Sequence, residues 1–109
     1  MELNRKPTMK EERLLDYLVR RSAVAIPEDW KDGLLVCPMD DGGMGSLRLF
    51  PRDQASDYRV FGEQVSDLQF VDLDGVEVIV SLNIDDEGNL FELDIWKTNF
   101  GRLLNLPNL

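Results

Sequence analysis

Three stretches, about 66–73, 76–85 and 90–97, alternate apolar and polar residues with a period of two, separated only by Asp74-Gly75 and by Asp86-Glu87-Gly88-Asn89. Breaks this short can join antiparallel strands but not parallel ones, which need a crossover of a dozen or more residues. The pattern also sets a register. With the turn at 86–89, Ile84 faces Phe91, Leu82 faces Leu93 and Val80 faces Ile95 on one side of the sheet. On the other side Asn83 faces Glu92, Ser81 faces Asp94 and Ile79 faces Trp96, and a slip of one residue would set apolar against polar throughout. A turn at Asp74-Gly75 pairs Val71 with Val78 and Leu73 with Val76 in the core, and Phe70 with Ile79 on the reverse face. Trp96 is then expected to pack against Phe70 and Ile79, as buried tryptophans usually do.

Upstream, Leu34-Leu35-Val36-Cys37-Pro38-Met39 and Ser46-Leu47-Arg48-Leu49-Phe50 read as two short strands joined by a turn at Asp40-Asp41-Gly42-Gly43. Residues 51–62 read as irregular. Thr8 followed three residues later by Glu11 is a capping box, and Leu14, Leu15, Leu18 and Val19 recur at helical spacing, so a helix is expected over about 8–22, ending before Ile26-Pro27. At 109 residues the chain suits one domain. The expected architecture is a single α+β domain over 1–109: an N-terminal helix packed on an antiparallel β-meander of about five strands, with a short C-terminal segment and a flexible start at 1–7. The leucines of Leu103-Leu104-Asn105-Leu106 are expected to cover the apolar end of the reverse face. There is no internal repeat and no low-complexity tract.

Charge is unevenly placed. The net charge is -9, yet residues 1–21 carry six basic and four acidic groups, and Glu63 to Asp94 holds ten acids with no Lys or Arg. Such a field repels nucleic-acid phosphates and anionic lipid, so neither nucleic acid nor membrane is an expected partner. The chain has no histidine and a single cysteine, Cys37, which removes Ser-His-Asp and Cys-His catalysis and the usual zinc cages. One cysteine makes no intrachain disulfide, and the start lacks the apolar run of a signal peptide, so a cytoplasmic location is expected.

Four constellations invite chemistry. The loop Asp40-Asp41-Gly42-Gly43-Met44-Gly45-Ser46 is glycine-rich, but it lacks the lysine and the following helix of a phosphate loop, and reads as a hairpin turn or a partner contact. Asn83, Asp85, Glu87, Gly88 and Asp94 fit positions of a calcium-loop template, yet that template lies between helices and these residues lie on strands, so no metal is expected. Glu92 and Asp94 stand two apart on one strand face, spaced for carboxylate acid–base work but equally for solvation. Cys37 lies in an apolar strand with no basic neighbour in sequence to activate it. No catalytic residue and no cofactor is assigned.

The segments Asp41-Gly42-Gly43-Met44-Gly45-Ser46-Leu47, Ser81-Leu82-Asn83 and Leu90-Phe91-Glu92-Leu93-Asp94-Ile95-Trp96-Lys97-Thr98-Asn99-Phe100 resemble a family of small bacterial domains. That family is similar to immunity proteins of bacterial toxin systems, including contact-dependent growth inhibition. The resemblance implies a non-catalytic protein that binds one cognate toxin, and the acidic stretch suits a cationic one such as a nuclease. The residues expected to meet the partner are Asp40, Asp41, Asp85, Asp86, Glu87, Glu92, Asp94 and Trp96, on a monomer or weak dimer. A binding or scaffold module of another pathway is the alternative, and a carboxylate-dependent enzyme comes after it. The acidic face could also serve solubility alone.

Overall fold

The computed structural model describes residues 4–52 and 58–109. One helix, α1 (Met9–Arg20), precedes five strands: β1 (Leu35–Pro38), β2 (Leu47–Phe50), β3 (Phe61–Val71), β4 (Glu77–Asp85) and β5 (Leu90–Lys97). The expected α+β class is what forms. All pairings are antiparallel, and the sheet order is β1-β2-β5-β4-β3. It departs from a continuous meander at one place, because β2 pairs with β5 and not with β3. The hairpin β1-β2 is therefore added to the far edge of a β3-β4-β5 meander, which leaves β1 and β3 as edges.

The helix starts where its chemistry dictates. The Glu11 N–H donates to Thr8 Oγ1 at 3.2 Å and the Thr8 N–H donates to Glu11 Oε1 at 2.9 Å, which closes the capping box. Glu11 also takes both arms of Arg5, at 2.8 and 3.0 Å. Burial alone would raise its carboxyl; the Arg5 and Thr8 bonds outweigh this and hold it below the usual carboxylate range. Arg5 also exchanges backbone hydrogen bonds with Val36, so the stretch expected to be flexible is tied to the β1 edge at this point. The rest of that expectation, at 1–3, lies outside the described residues, as do 53–57 of the segment read as irregular. Thr8→Ala should lower the unfolding free energy by about 1 kcal/mol. In urea melts the midpoint should fall with an unchanged slope, and an unchanged midpoint would show that the cap is dispensable.

Leu14, Leu15 and Leu18 of α1 are fully buried against one face of the sheet, where they meet Val36, Leu47, Leu49, Val78, Val80, Leu82, Leu93 and Ile95. These are the alternating positions of the strands, as the period of two requires. From Val78–Lys97 to Asn83–Glu92 the β4-β5 register is the expected one. A bulge then sets Leu90, not Phe91, opposite Ile84, and Phe91 leaves the main core.

The β3-β4 register differs from expectation by one residue. Phe70 pairs with Val78 and Val71 with Glu77, so Phe70 turns to the core while Val71 and Leu73 are exposed. The reason is Asp72. Its N–H bonds the Val76 carbonyl and its carboxylate is drawn inward, so the loop closes over Leu73-Asp74-Gly75, with Gly75 at a φ of 82°. Strand β3 also begins earlier than the alternation shows, because bulges at Phe61/Glu63 and Gln64/Ser66 break the period there. Gly62 lies so close to the Asp85 carbonyl that no side chain fits.

The C-terminal tail takes the side opposite to the one expected. Leu103 and Leu106 pack on the helix-covered core, and Lys10 of α1 donates to Asn105 at 2.9 Å. Arg59 lies over Phe50 and Phe91 at one end of the reverse face; around Trp96 and Asp94 that face has no layer over it among the described residues.

Candidate functional site

The uncovered face is built from the positions that alternate with the core. Across it run three rows: Gln69, Ile79 and Trp96; Asp67, Ser81 and Asp94; Gln64, Asn83, Glu92 and Arg48. Directly opposed residues on such a face have Cβ atoms about 5 Å apart and diagonal ones about 7–8 Å. The centre of the grid is therefore a short side chain, Ser81, flanked by Asp67 and Asp94 and bounded by Trp96 on one side and Glu92 on the other.

Trp96 is 42% exposed, and its ring meets that of Phe100 at 6.2 Å between centroids, tilted by 53°. The expected packing of Trp96 on Phe70 does not occur, since the β3-β4 shift takes Phe70 to the opposite face. Phe100 is the only described non-glycine residue with positive φ, at 61°. A bulky side chain in that region strains the backbone, and here it holds an exposed ring beside an exposed indole.

The glycine loop adjoins this end of the face. Ser46 accepts the Ile95 N–H at 2.8 Å, and its hydroxyl lies 3.4 Å from Asp94 Oδ1. Asp41 points inward: its carboxylate takes the N–H groups of Met44 at 3.1 Å and Ser46 at 2.9 Å. Burial would raise the Asp41 carboxyl, and the bonds from Ser46 and Met44 overcome this and lower it. Asp41 thus shapes the loop, leaving the exposed Asp40 as its outward acid. Arg102 packs over Gly43, so this margin also carries a positive group.

Asp85, Asp86 and Glu87 lie at the other end of β4, some six residues or about 20 Å from Trp96. Asp86 and Glu87 are exposed. Asp85, expected to meet a partner, is instead 2% exposed. One oxygen takes the N–H groups of Glu87 and Asn89, both at 2.9 Å, and the other lies 3.3 Å from Arg59 Nη1. Arg59 in turn donates to the carbonyls of Leu90 and Leu49 and lies over the rings of Phe50 and Phe91. The eight residues therefore do not form one surface: Asp40, Glu92, Asp94 and Trp96 share one neighbourhood, Asp86 and Glu87 sit at the far turn, and Asp41 and Asp85 are internal supports. The calcium-template residues are likewise spread along two strands and a turn, and no three acids or thiols converge among the described residues.

A second polar centre lies beneath the tail. Lys97 is 1% exposed, and its ammonium donates to Asp72 at 2.9 Å, Asp74 at 2.7 Å and the Arg102 carbonyl at 2.9 Å, satisfying all three protons. Asp72 also takes the N–H groups of Leu73, Leu104 and Asn105. Burial alone would raise the Asp72 carboxyl; the Leu104, Lys97 and Leu73 bonds outweigh it and hold it at about 2. For Lys97, burial opposes the charge, yet its bonds to Asp74 and Asp72 raise the ammonium above its ordinary value. Lys97 and Asp72 are sealed from solvent while Asp74 is partly exposed, and the centre anchors the tail. One signal for it stands in the sequence: Lys97 falls on the core parity of β5, where a charge needs partners. Thus three of the ten acids between Glu63 and Asp94 are neutralised from outside the segment, by Lys97 and Arg59.

A groove of about 510 Å³ runs along α1, lined by Glu12, Asp16, Arg20 and Lys31 among others. Within it Lys31 pairs with Asp16 at 3.3 Å and Arg20 with Asp16 at 2.9 Å. No helix among the described residues is long and apolar enough to cross a membrane.

A family model described as "Domain of unknown function (DUF6984)" matches residues 4–107. No curated protein and no solved structure matches the chain.

Proposed function

We propose that this chain, which belongs to the DUF6984 family of domains of unknown function, is a non-catalytic, cytosolic binding protein that neutralises a cognate protein toxin through its uncovered sheet face. The observation that carries the proposal is the exposed Trp96–Phe100 pair standing beside Asp94, Glu92 and Asp67, where no described element covers the sheet. Aromatic anchors with a polar rim are the usual energetic centre of a protein interface. The strained Phe100 supports this, because folding stability would favour a glycine there. The acids add selectivity: they favour a cationic surface such as the cleft of a nuclease, accelerate encounter and repel nucleic acid. The resemblance to immunity proteins supplies the toxin as the class of partner. Monomer or weak dimer is the proposed free state, since the net charge of -9 opposes self-association.

Co-production tests this directly. Cells making a basic toxin encoded beside this chain should survive when the chain is present and die without it, and the two proteins should co-purify with nanomolar affinity. Recovery of housekeeping proteins alone, with no protection against any neighbouring toxin, would overturn the proposal and favour a module of another pathway.

A further inference from the structure

The two edges of the sheet are closed to different extents. Strand β1 is short, and Arg5 exchanges backbone hydrogen bonds with Val36, so that edge is already occupied. Strand β3, at 11 residues, is the longest of the sheet. Its outward groups can be read from the ladder. Asp72 donates its N–H to the Val76 carbonyl at 2.9 Å, and antiparallel strands alternate bonded and non-bonded pairs, so Phe70 and Leu68 aim their N–H and C=O groups at β4. Asp67, Gln69 and Val71 aim theirs away from the sheet. Glu77, opposite Val71, agrees: its carbonyl turns to the other side and takes the Thr98 N–H at 3.0 Å. In the first half of β3 the outward Val65 carbonyl takes the Ala23 N–H at 2.8 Å, whereas among the described residues nothing bonds the outward groups of Asp67, Gln69 and Val71.

Edge strands are usually blunted by a lysine, a proline or a bulge, which stops another strand from pairing. Both bulges of β3 lie before Asp67, and Asp67-Leu68-Gln69-Phe70-Val71 has no proline and no basic residue. The segment is complementary to itself. Two copies running antiparallel about a two-fold axis at Gln69 set Gln69 opposite Gln69 and Asp67 opposite Val71. All three residues have outward backbone groups, so each of these pairs exchanges two hydrogen bonds. Leu68 of one copy then faces Phe70 of the other at the intervening close pair, and both side chains belong to the partly buried rim of the core. A slip of one residue would set outward groups against inward ones. A slip of two would set Val71 against Val65, whose carbonyl is taken, or Asp67 against Leu73 in the turn. Like charges do not meet in this register. The two Asp67 stand four residues apart along the strands, about 13 Å, which exceeds the Debye length of about 8 Å at physiological salt. Asp72 and Asp74, at the end of the ladder, are held by Lys97.

We propose that β3 pairs through Asp67–Val71 with β3 of a second copy of this chain, joining two five-stranded sheets into one. The two-fold axis of such a pairing stands perpendicular to the sheet, so the same face of both copies lies on one side. Gln69, Ile79 and Trp96 form one row across the sheet, and pairing at Gln69 carries that row through both copies. The two indoles then stand about 24 Å apart, five strand spacings, on one continuous surface. The ladder is short and each chain carries a net charge of -9, so association is weak and grows with concentration and with salt. The inference stands on the β3 edge and not on the toxin reading, to which it adds a paired presentation of the binding face.

The test is sedimentation equilibrium and amide hydrogen exchange on the intact chain, from micromolar to millimolar concentration. The average mass should rise from that of one chain toward that of two. Protection should grow with concentration at the N–H groups of Asp67, Gln69 and Val71, while those of Leu68 and Phe70 are protected throughout by β4. Gln69→Pro should abolish the dimer, because it removes an outward N–H and leaves the β3-β4 ladder its bonds, as an edge position allows. Val71 is 67% exposed, so its replacement leaves the core intact. Val71→Lys puts a positive charge opposite Asp67 of the other copy and should tighten the dimer about fivefold, and Val71→Asp should weaken it as much. Val60→Lys, the same charge change at an exposed site off the ladder, should tighten it far less. A single-chain mass at every concentration, protection at the β1 edge instead, or a dimer indifferent to both Val71 replacements would overturn the proposal. Protection of the three amides only when another protein is added would also overturn it, by giving the edge to a foreign strand. The two proposals separate cleanly. Dimers that give cells no protection against any toxin defeat the toxin reading alone, and protection by a chain that stays monomeric defeats the pairing alone.

Discussion

Replacing Asp72 by asparagine should destabilise the protein by about 3 kcal/mol or more, the range found when one partner of a buried ion pair is removed. The change is nearly isosteric, so packing is not the cause. It leaves the Lys97 ammonium, 1% exposed, with only the half-exposed Asp74 as counter-charge, and it weakens the acceptor for the N–H groups of Leu104 and Asn105. For a domain of this size that loss corresponds to a fall in melting temperature on the order of 15–20 °C. Loss of the tail contacts should accompany it, visible as rapid hydrogen exchange at Leu104 and Asn105. Asp74→Asn should do far less, because that carboxylate is partly solvated. A melting temperature within 3 °C of the parent for Asp72→Asn would refute the role of the centre.

The same centre sets a pH dependence. Asp72 has a folded pKa of about 2 against an ordinary 3.8, so its stabilisation is complete above the ordinary carboxylate range and is lost as pH falls from near 4 through 2. Asp41 and Glu11, also lowered, contribute in the same direction. Lys97 is raised and remains charged throughout this window, so the acid transition belongs to the carboxylates. Unfolding followed by circular dichroism should therefore show a steep decline below pH 4, shallower in Asp72→Asn.

The second large effect concerns binding and not folding. Trp96→Ala should lower affinity for the proposed toxin partner by about 30-fold or more, equivalent to about 2 kcal/mol, as expected for a central aromatic anchor. The indole is 42% exposed and lies outside the core cluster, so the melting temperature should move by only a few degrees. Phe100→Gly should behave alike, relieving a positive φ while removing the ring. The acids act on a different quantity. Raising salt or neutralising Asp94 should slow association more than it speeds dissociation. Equal affinity in Trp96→Ala would place the interface elsewhere, with the exposed acids of the 86–87 turn next in line.

Much of this fold is legible in the amino-acid sequence. The capping box at Thr8 and Glu11, the core leucines of α1 and the β4-β5 register follow from spacing alone, because local hydrogen bonding and a period of two leave few alternatives. Pairs such as Ser81 with Asp94 and Asn83 with Glu92 were already in place. What went unread depends on groups distant in sequence. Asp72 shifts the β3-β4 register because it must meet Lys97 and the tail; Asp85 is withdrawn from the surface because Arg59 reaches it; and Phe91 leaves the core because a bulge at Asn83/Ile84 intervenes. None of these leaves a periodic trace.

The sequence by itself therefore determined the elements, their antiparallel pairing and the acidic balance, since these depend on neighbours within one turn or one hairpin. Only the tertiary structure decided which sheet face would be open. That choice turned on the tail: its leucines suit either face, but the Asp72 carboxylate offers acceptors for the Leu104 and Asn105 N–H groups on the helix side alone. Placing the tail there left Trp96 and Asp94 exposed on the other side.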